Sequence, residues 1–148
     1  MNNLKYKLID KCLIILSERA ENAKKAMDEL QQSANEYGLP KDRYDSFRAQ
    51  VLRKRDLFAE QYQKTMDEME LIKKINPEKK NKKIEFGSVV ITNKQKLFVS
   101  VSLGKIEIEN ELFYAISTQV PIYNAIKGKK AGEKFEFNGN KFEIIDIK

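Results

Sequence analysis

Ile9, Leu13, Leu16, Ala20, Ala23, Met27, Leu30 and Ala34 recur at alternating steps of four and three, the spacing of a heptad seam. A second and weaker seam runs through Tyr44, Phe47, Val51, Phe58, Tyr62, Met66, Met69 and Ile72, and Gly38-Leu39-Pro40 lies between the two. The pair predicts an antiparallel helical hairpin, a coiled coil over residues 1–77, with its turn between Asn35 and Asp42. Helices of about 32 residues at about 1.5 Å rise per residue would be roughly 45–50 Å long, more than a small core needs. Such an element is expected to project from its domain and carry its turn to a distant site.

Length bounds what remains. A hairpin of about 75 residues in a chain of 148 leaves about 70 for a second unit, near the lower limit for an independent core. The expected division is a hairpin over 1–77, a basic linker over 78–83 and a sheet domain over 84–148. No apolar run approaches the ~20 residues that cross a bilayer, and Met1-Asn2-Asn3-Leu4 lacks the order of a signal peptide. The expectation is therefore a soluble cytoplasmic protein without membrane contact. A single cysteine, Cys12, cannot form an internal disulfide and is expected to pack as a small hydrophobe beside Leu13.

The chain has no histidine, which excludes His-based acid/base catalysis, a Ser-His-Asp triad and the usual zinc sets. No Gly-rich phosphate loop is present, and no nucleophile stands next to a base. The 28 basic and 22 acidic side chains give a net charge of +6, and the one dense basic run is Lys79-Lys80-Asn81-Lys82-Lys83. After Pro77 that run reads as a hydrated linker, with contact to RNA, DNA or an acidic protein surface as its second reading.

Beyond the linker the period changes from 3.5 to two. Phe86–Thr92 and Leu97–Leu103 are β-rich runs separated by a loop-length polar stretch. Ile106–Glu109 and Leu112–Ser117 follow, with Asn110-Glu111 as the expected turn. Lys134–Phe137 and Lys141–Ile147 flank Asn138-Gly139-Asn140, a strong hairpin signal because Asn and Gly tolerate positive φ. Pro121–Gly128 has proline where a helix begins and glycine where it ends. The fold class is therefore α+β: a long N-terminal hairpin, then a small antiparallel sheet with one short helix.

Pro121-Ile122, Ala125-Ile126-Lys127-Gly128-Lys129, Gly132-Glu133 and the closing Ile144-Ile145-Asp146-Ile147 resemble the C-terminal domain of the GreA/GreB transcript-cleavage factors of bacterial transcription. In that family a P-I-x-x-A-L-x-G-K-x-x-G-D segment precedes two closing strands, and Phe86-Gly87-Ser88-Val89-Val90 looks like its F-G-S-x-V opening strand. The resemblance covers residues 84 to 148, and the hairpin matches in architecture. It implies an FKBP-like domain that docks on RNA polymerase, with Pro121, Ile122, Tyr123, Lys127, Gly128 and Lys129 as the docking residues. It also implies a coiled coil that enters the secondary channel of the polymerase and modulates elongation, touching RNA or DNA in the elongation complex. On this reading the chain is no enzyme itself, and at most stimulates RNA cleavage by the polymerase. The alternative is an FKBP-like binding or isomerase module with a coiled-coil arm.

A rod-borne tip can assist hydrolysis by lending carboxylates to a second Mg²⁺ shared with the polymerase, so no cofactor of its own is expected. The acids near the turn are Glu36, Asp42 and Asp45, with Asp42 and Asp45 the metal candidates in the complex. The family's tip reads D-L-x-E-N-x-E-Y; here Asn35-Glu36-Tyr37 echoes its end, and Gly38-Leu39-Pro40-Lys41 departs from it. Asp42 is also placed to begin the second helix, where a carboxylate meets the helix dipole. Tyr44, Phe47 and Val51 are expected in the seam. Arg53, Lys54 and Arg55 are expected opposite Ala20–Ala23, with their stems along that groove, and contact with channel carboxylates or RNA phosphate is the alternative for this cluster.

Overall fold

Two long helices open the chain, α1 (Asn3–Tyr37) and α2 (Phe47–Lys73), followed by strands β1 (Val89–Thr92), β2 (Lys96–Ser100), β3 (Gly104–Ile108) and β4 (Glu111–Ser117), helix α3 (Pro121–Ile126), and strands β5 (Lys134–Phe137) and β6 (Asn140–Ile147). The computed structural model describes residues 3–148. Within it Ile14–Met69 forms one compact unit, and the chain up to Leu13 together with Glu70–Lys148 forms another.

In the helical unit the two helices run antiparallel. The rings of Tyr37 and Phe47 lie 4.6 Å apart, Arg55 donates to Gln31 Oε1, and Arg19 and Ala23 share a groove with Phe58 and Thr65. On α1 the buried stripe is Leu16, Ala20, Ala23 and Ala34, as the seam predicts. On α2 only Val51 and Thr65 of the stretch up to Met69 are buried, while Phe58, Tyr62, Met66 and Met69 are half-covered. Alanines offer little to cover a bulkier stripe, and two helices alone cannot enclose one.

Three expectations for this unit are corrected. Tyr44 is not in the seam: it is 78% exposed in a turn that extends from Gly38 to Ser46. Asp42 does not begin α2, which starts at Phe47. Arg55 faces Gln31, and the residues beside Ala23 are Phe58, Gln61, Lys64 and Thr65. All three have one cause. Gly38, at φ 80, ends α1 by bonding its N–H to Ala34 O (3.1 Å), a left-handed stop that glycine adopts readily. The turn then takes more residues than expected, which moves the pairing of α2 along α1.

The sheet has the order β3-β4-β2-β1-β6-β5. Every pairing is antiparallel except β2 with β4, which are parallel through Leu97↔Tyr114 to Ser100↔Ser117. An all-antiparallel sheet was the expectation. The difference arises because Val101–Leu103 carries the chain past one strand's width to β3, and β4 then fills the gap between β3 and β2. The β3–β4 turn sits at Glu109-Asn110 rather than Asn110-Glu111, with φ of 50° and 67°, and Asn138-Gly139 (φ 51° and 78°) closes β5–β6. Positive φ at both central residues is the twist-compatible hairpin geometry.

Each sheet face has its own core. Val90, Leu97, Val99, Phe142, Ile144 and Ile147 pack with Ile126 of α3 and with Ile84. A bulge in β6 opposite Ile91/Thr92 lets Ile144 and Ile147 both face inward, at 0% and 4% exposure, while Ile145 between them points to solvent. The strand pleat puts Val89, Phe98, Ser100, Phe113 and Ala115 on the other face, and all are buried. That face meets the first turns of α1 and the end of α2: Cys12 lies against Ser100, Lys7 pairs with Glu109, and a Cβ on Gly87 would stand 3.2 Å from Ile75 Cγ2. Gly87 is glycine for two reasons, since its φ is 90° as well. The strand accordingly begins at Val89, and Phe86–Ser88 forms a turn in which Ser88 Oγ donates to Glu85 O (2.7 Å).

Cys12 is fully buried, as expected, and burial pushes its thiol up to about 12. A disulfide-exchange reagent should therefore label it about a thousandfold more slowly in the native protein than in denaturant, following the thiolate fraction. Stoichiometric absorbance change within the mixing time of native protein would contradict the burial.

Candidate functional site

The hairpin turn is built around Asp45. Its Oδ2 accepts from Lys41 N (2.8 Å) and from the Tyr37 hydroxyl, and its Oδ1 accepts from Phe47 N (3.1 Å). Those three donors, the Lys41 N–H foremost, hold the Asp45 carboxyl below the usual aspartate range, and the same bond raises the Tyr37 phenol. Asp45 thus fastens the end of α1, the turn and the first residue of α2 to one another. Asp42 makes a smaller closure, its Oδ1 accepting from Tyr44 N (2.7 Å). Glu36 stays on α1, where its Oε1 accepts from Gln32 Nε2 (3.0 Å).

What the turn presents outward includes cationic and apolar side chains. Leu39 is 82% exposed. Lys41 Nζ stands 5.0 Å from the Tyr37 ring centre, and the Arg43 guanidinium lies 4.7 Å from that of Tyr44, both within cation–π range. Asp42 and Asp45 accept from backbone N–H groups of the turn, while Lys41 Nζ donates to Tyr37 O (3.3 Å) and Arg43 to the Tyr44 hydroxyl (2.6 Å), and Glu36, Lys41, Asp42 and Arg43 are all exposed. Among the described residues no three His, Cys, Asp or Glu side chains converge as a metal-holding group. Both oxygens of Asp45 accept from protein donors, and Asp42 uses one of its two.

The docking candidates lie in the sheet unit. Pro121 is exposed at the first position of α3, Ile122 and Tyr123 lie partly against the core, and Lys127 and Gly128 are exposed with Lys129 half-covered. Gly128, at φ 77, follows the helix; its N–H donates to Ile84 O (2.8 Å), and Ile84 N donates back to Lys129 O (2.8 Å). Gly132 N bonds to Ile144 O (2.7 Å) and Ile144 N to Glu133 O (2.9 Å). The segment is thus pinned at both ends and presents its side chains from a fixed backbone.

One polar cluster in this unit carries no sequence motif. Lys5, 1% exposed, donates from Nζ to Lys79 O (2.6 Å) and to Asn81 Oδ1 (2.5 Å). Asn81 Nδ2 donates to Glu85 Oε1 (2.6 Å), which also meets Lys79 Nζ at 3.1 Å. Within the basic run, Asn81 is therefore buried rather than hydrated. Only the fixed distance of Lys5 from the Leu8 and Cys12 stripe could have marked it, since steps of three and four put all three on one helix face.

No protein-family model matches this sequence, and no curated protein matches it. Among solved structures the chain is similar to the crystal structure of GreA factor homolog 1 (Gfh1) of Thermus thermophilus, at 16% identity over 97% of this chain and 94% of that chain, with a TM-score of 0.36. At that identity no residue role passes from one chain to the other. No helix among the described residues is long and apolar enough to cross a membrane.

Proposed function

We propose that this chain is a Gre-like factor that binds bacterial RNA polymerase through its sheet unit, by an FKBP-like C-terminal domain, and modulates elongation by occupying the secondary channel with its hairpin. The support for docking is the Pro121–Gly132 segment, whose motif folds as a proline-started helix and a glycine-ended turn held by four backbone bonds. The observation that carries the mode of action is the commitment of Asp45 to Lys41, Tyr37 and Phe47. With Lys41 and Arg43 facing outward, the tip repels a second cation rather than holding one. The factor is an accessory and no enzyme, and it needs no cofactor.

Two measurements test this. In a stalled elongation complex the wild type is expected to give no stimulated RNA cleavage and to compete with an authentic cleavage factor, and Asp42→Asn with Glu36→Gln, which spare the Asp45 tie, should leave both results unchanged. Stimulated cleavage by the wild type that those substitutions abolish would replace occupancy by metal lending. For docking, Tyr123→Ala combined with Lys127→Glu should weaken polymerase binding on the order of tenfold, equivalent to about 1.4 kcal/mol. Unchanged affinity would remove this face from the contact.

A further inference from the structure

Two lysine runs far apart in sequence are clamped side by side. Ile84, directly after Lys82-Lys83, exchanges backbone hydrogen bonds with Gly128 and Lys129 at 2.8 Å each, and Ile84 and Ile126 sit in one core at 1% and 0% exposure. The residues next to this clamp are Lys80, Lys82 and Lys83 on one side and Lys127, Lys129 and Lys130 on the other.

Their charge is only partly compensated, since the acids alongside are Glu78, Glu85, which feels Lys83 as well as Lys79, and Glu133. Glu85 is engaged by Lys79 and Asn81, Glu78 by the Tyr6 hydroxyl, and Glu133 Oε2 by the Lys130 backbone N–H. Among the described residues none of those six ammonium groups meets a carboxylate. Like charges held together by the backbone repel one another, and the arrangement is relieved by a polyanion that brings its own charges to it.

We propose that the 79–83 and 127–130 runs together form a surface that binds the phosphate backbone of nucleic acid without reading its sequence. Charge complementarity selects this partner, because a surplus of unpaired cations along two adjoining runs matches a chain of evenly spaced phosphates. Lysine binds phosphate as a compact point charge on a flexible stem, without the fork geometry by which arginine recognises phosphate or carboxylate in pairs, and neither run contains an arginine. Neither run contains an aromatic residue that could stack on a base, so the contacts position the partner and do not specify it. This goes beyond polymerase docking and does not depend on it, although Lys127 and Lys129 belong to both surfaces.

The test uses the full chain with no polymerase present, so its failure is separate from failure of the docking reading. Fluorescence anisotropy is measured with mixed-sequence labelled single-stranded RNA, single-stranded DNA and duplex DNA between about 50 and about 200 mM salt. Binding is expected whose log affinity falls linearly with log salt, by about 0.9 per phosphate neutralised on the duplex and about 0.7 on single strands. Lys82→Glu, Lys83→Glu, Lys127→Glu and Lys130→Glu together should lower affinity roughly tenfold or more and flatten that slope. The matching Lys→Gln set, melted by circular dichroism to confirm folding, should do the same to a smaller degree. A control reversing Lys11, Lys24, Lys25 and Lys64 should retain most of the affinity. Equal losses in the patch and control sets, absence of salt-dependent binding, or binding of a poly-glutamate peptide in preference to every nucleic acid would each overturn the proposal. Preference for RNA, for DNA or for duplex among positive results would identify the source of the phosphates.

Discussion

Replacing Phe98 with alanine is expected to cost about 3–5 kcal/mol of stability, the range for truncating a fully buried phenylalanine. Phe98 is 0% exposed in the middle of β2, opposite Val89 on one side and Ala115 on the other. It belongs to the sheet face that meets Cys12 and Ile75, both buried as well. The cavity cannot close easily. Both strands beside it are fixed by their own ladders, and the small Ala115 has no volume to lend. Chemical denaturation should show a lowered midpoint, whereas Ile145→Ala, at a position 57% exposed, should stay within about 0.5 kcal/mol of the wild type. A Phe98→Ala loss below about 1 kcal/mol would mean that this face is not the packed interior described here.

The second core explains where the sequence was legible and where it was not. Period two and the turn chemistry of Asn138-Gly139 placed the strands, because those signals are local. The parallel β2–β4 pairing left no mark, since it depends on a three-residue connection that skips a strand's place. The β6 bulge was equally silent: Ile144-Ile145-Asp146-Ile147 reads as a plain alternation that breaks. On α1 the buried stripe at the start is Lys5, Leu8, Cys12 and Leu16 rather than Ile9 and Leu13, which are half-covered. A sheet, not only a helix, lies against those first turns, and it draws in a different line of residues from the heptad seam.

The candidate site divides in the same way. Pro121 and Gly128 announced α3 by their own backbone preferences, and the structure has the helix there. The turn acids were legible as acids but not as hydrogen-bond acceptors. Whether Asp42 or Asp45 sits at the start of α2 depends on where the helix begins after Gly38-Leu39-Pro40, and a polar stretch such as Lys41–Ser46 offers several starts. Its outcome decides the geometry: with α2 starting at Phe47, it is Asp45 and not Asp42 that accepts from the first N–H of the helix.

Lys5 yields the other large effect, and its sign can be worked out. Burial first, and Lys79 second, lower its ammonium from 10.5 to about 8. Below about pH 8 it is protonated in both folded and unfolded chains, so the cost of burying the charge is fully present. From about 8 to 10.5 the unfolded chain holds a proton that the folded chain has shed, and stability rises with pH. Cys12 works against this. Its thiol moves from 9.0 to about 12 on folding, so above about pH 9 the folded chain keeps a proton that the unfolded chain loses, and stability falls. Unfolding free energy should therefore climb from about pH 8 to 9, change little to about 10.5 and then drop. Lys5→Met removes the climb, leaves Lys79 O and Asn81 Oδ1 without their buried donor, and should cost about 1–3 kcal/mol near neutrality. The gap from wild type should widen by pH 9, because the neutral amine still donates to both acceptors. Urea titrations of the two proteins at about pH 7, 8 and 9 measure this directly, and parallel pH profiles would show that Lys5 is not buried as an ionisable anchor.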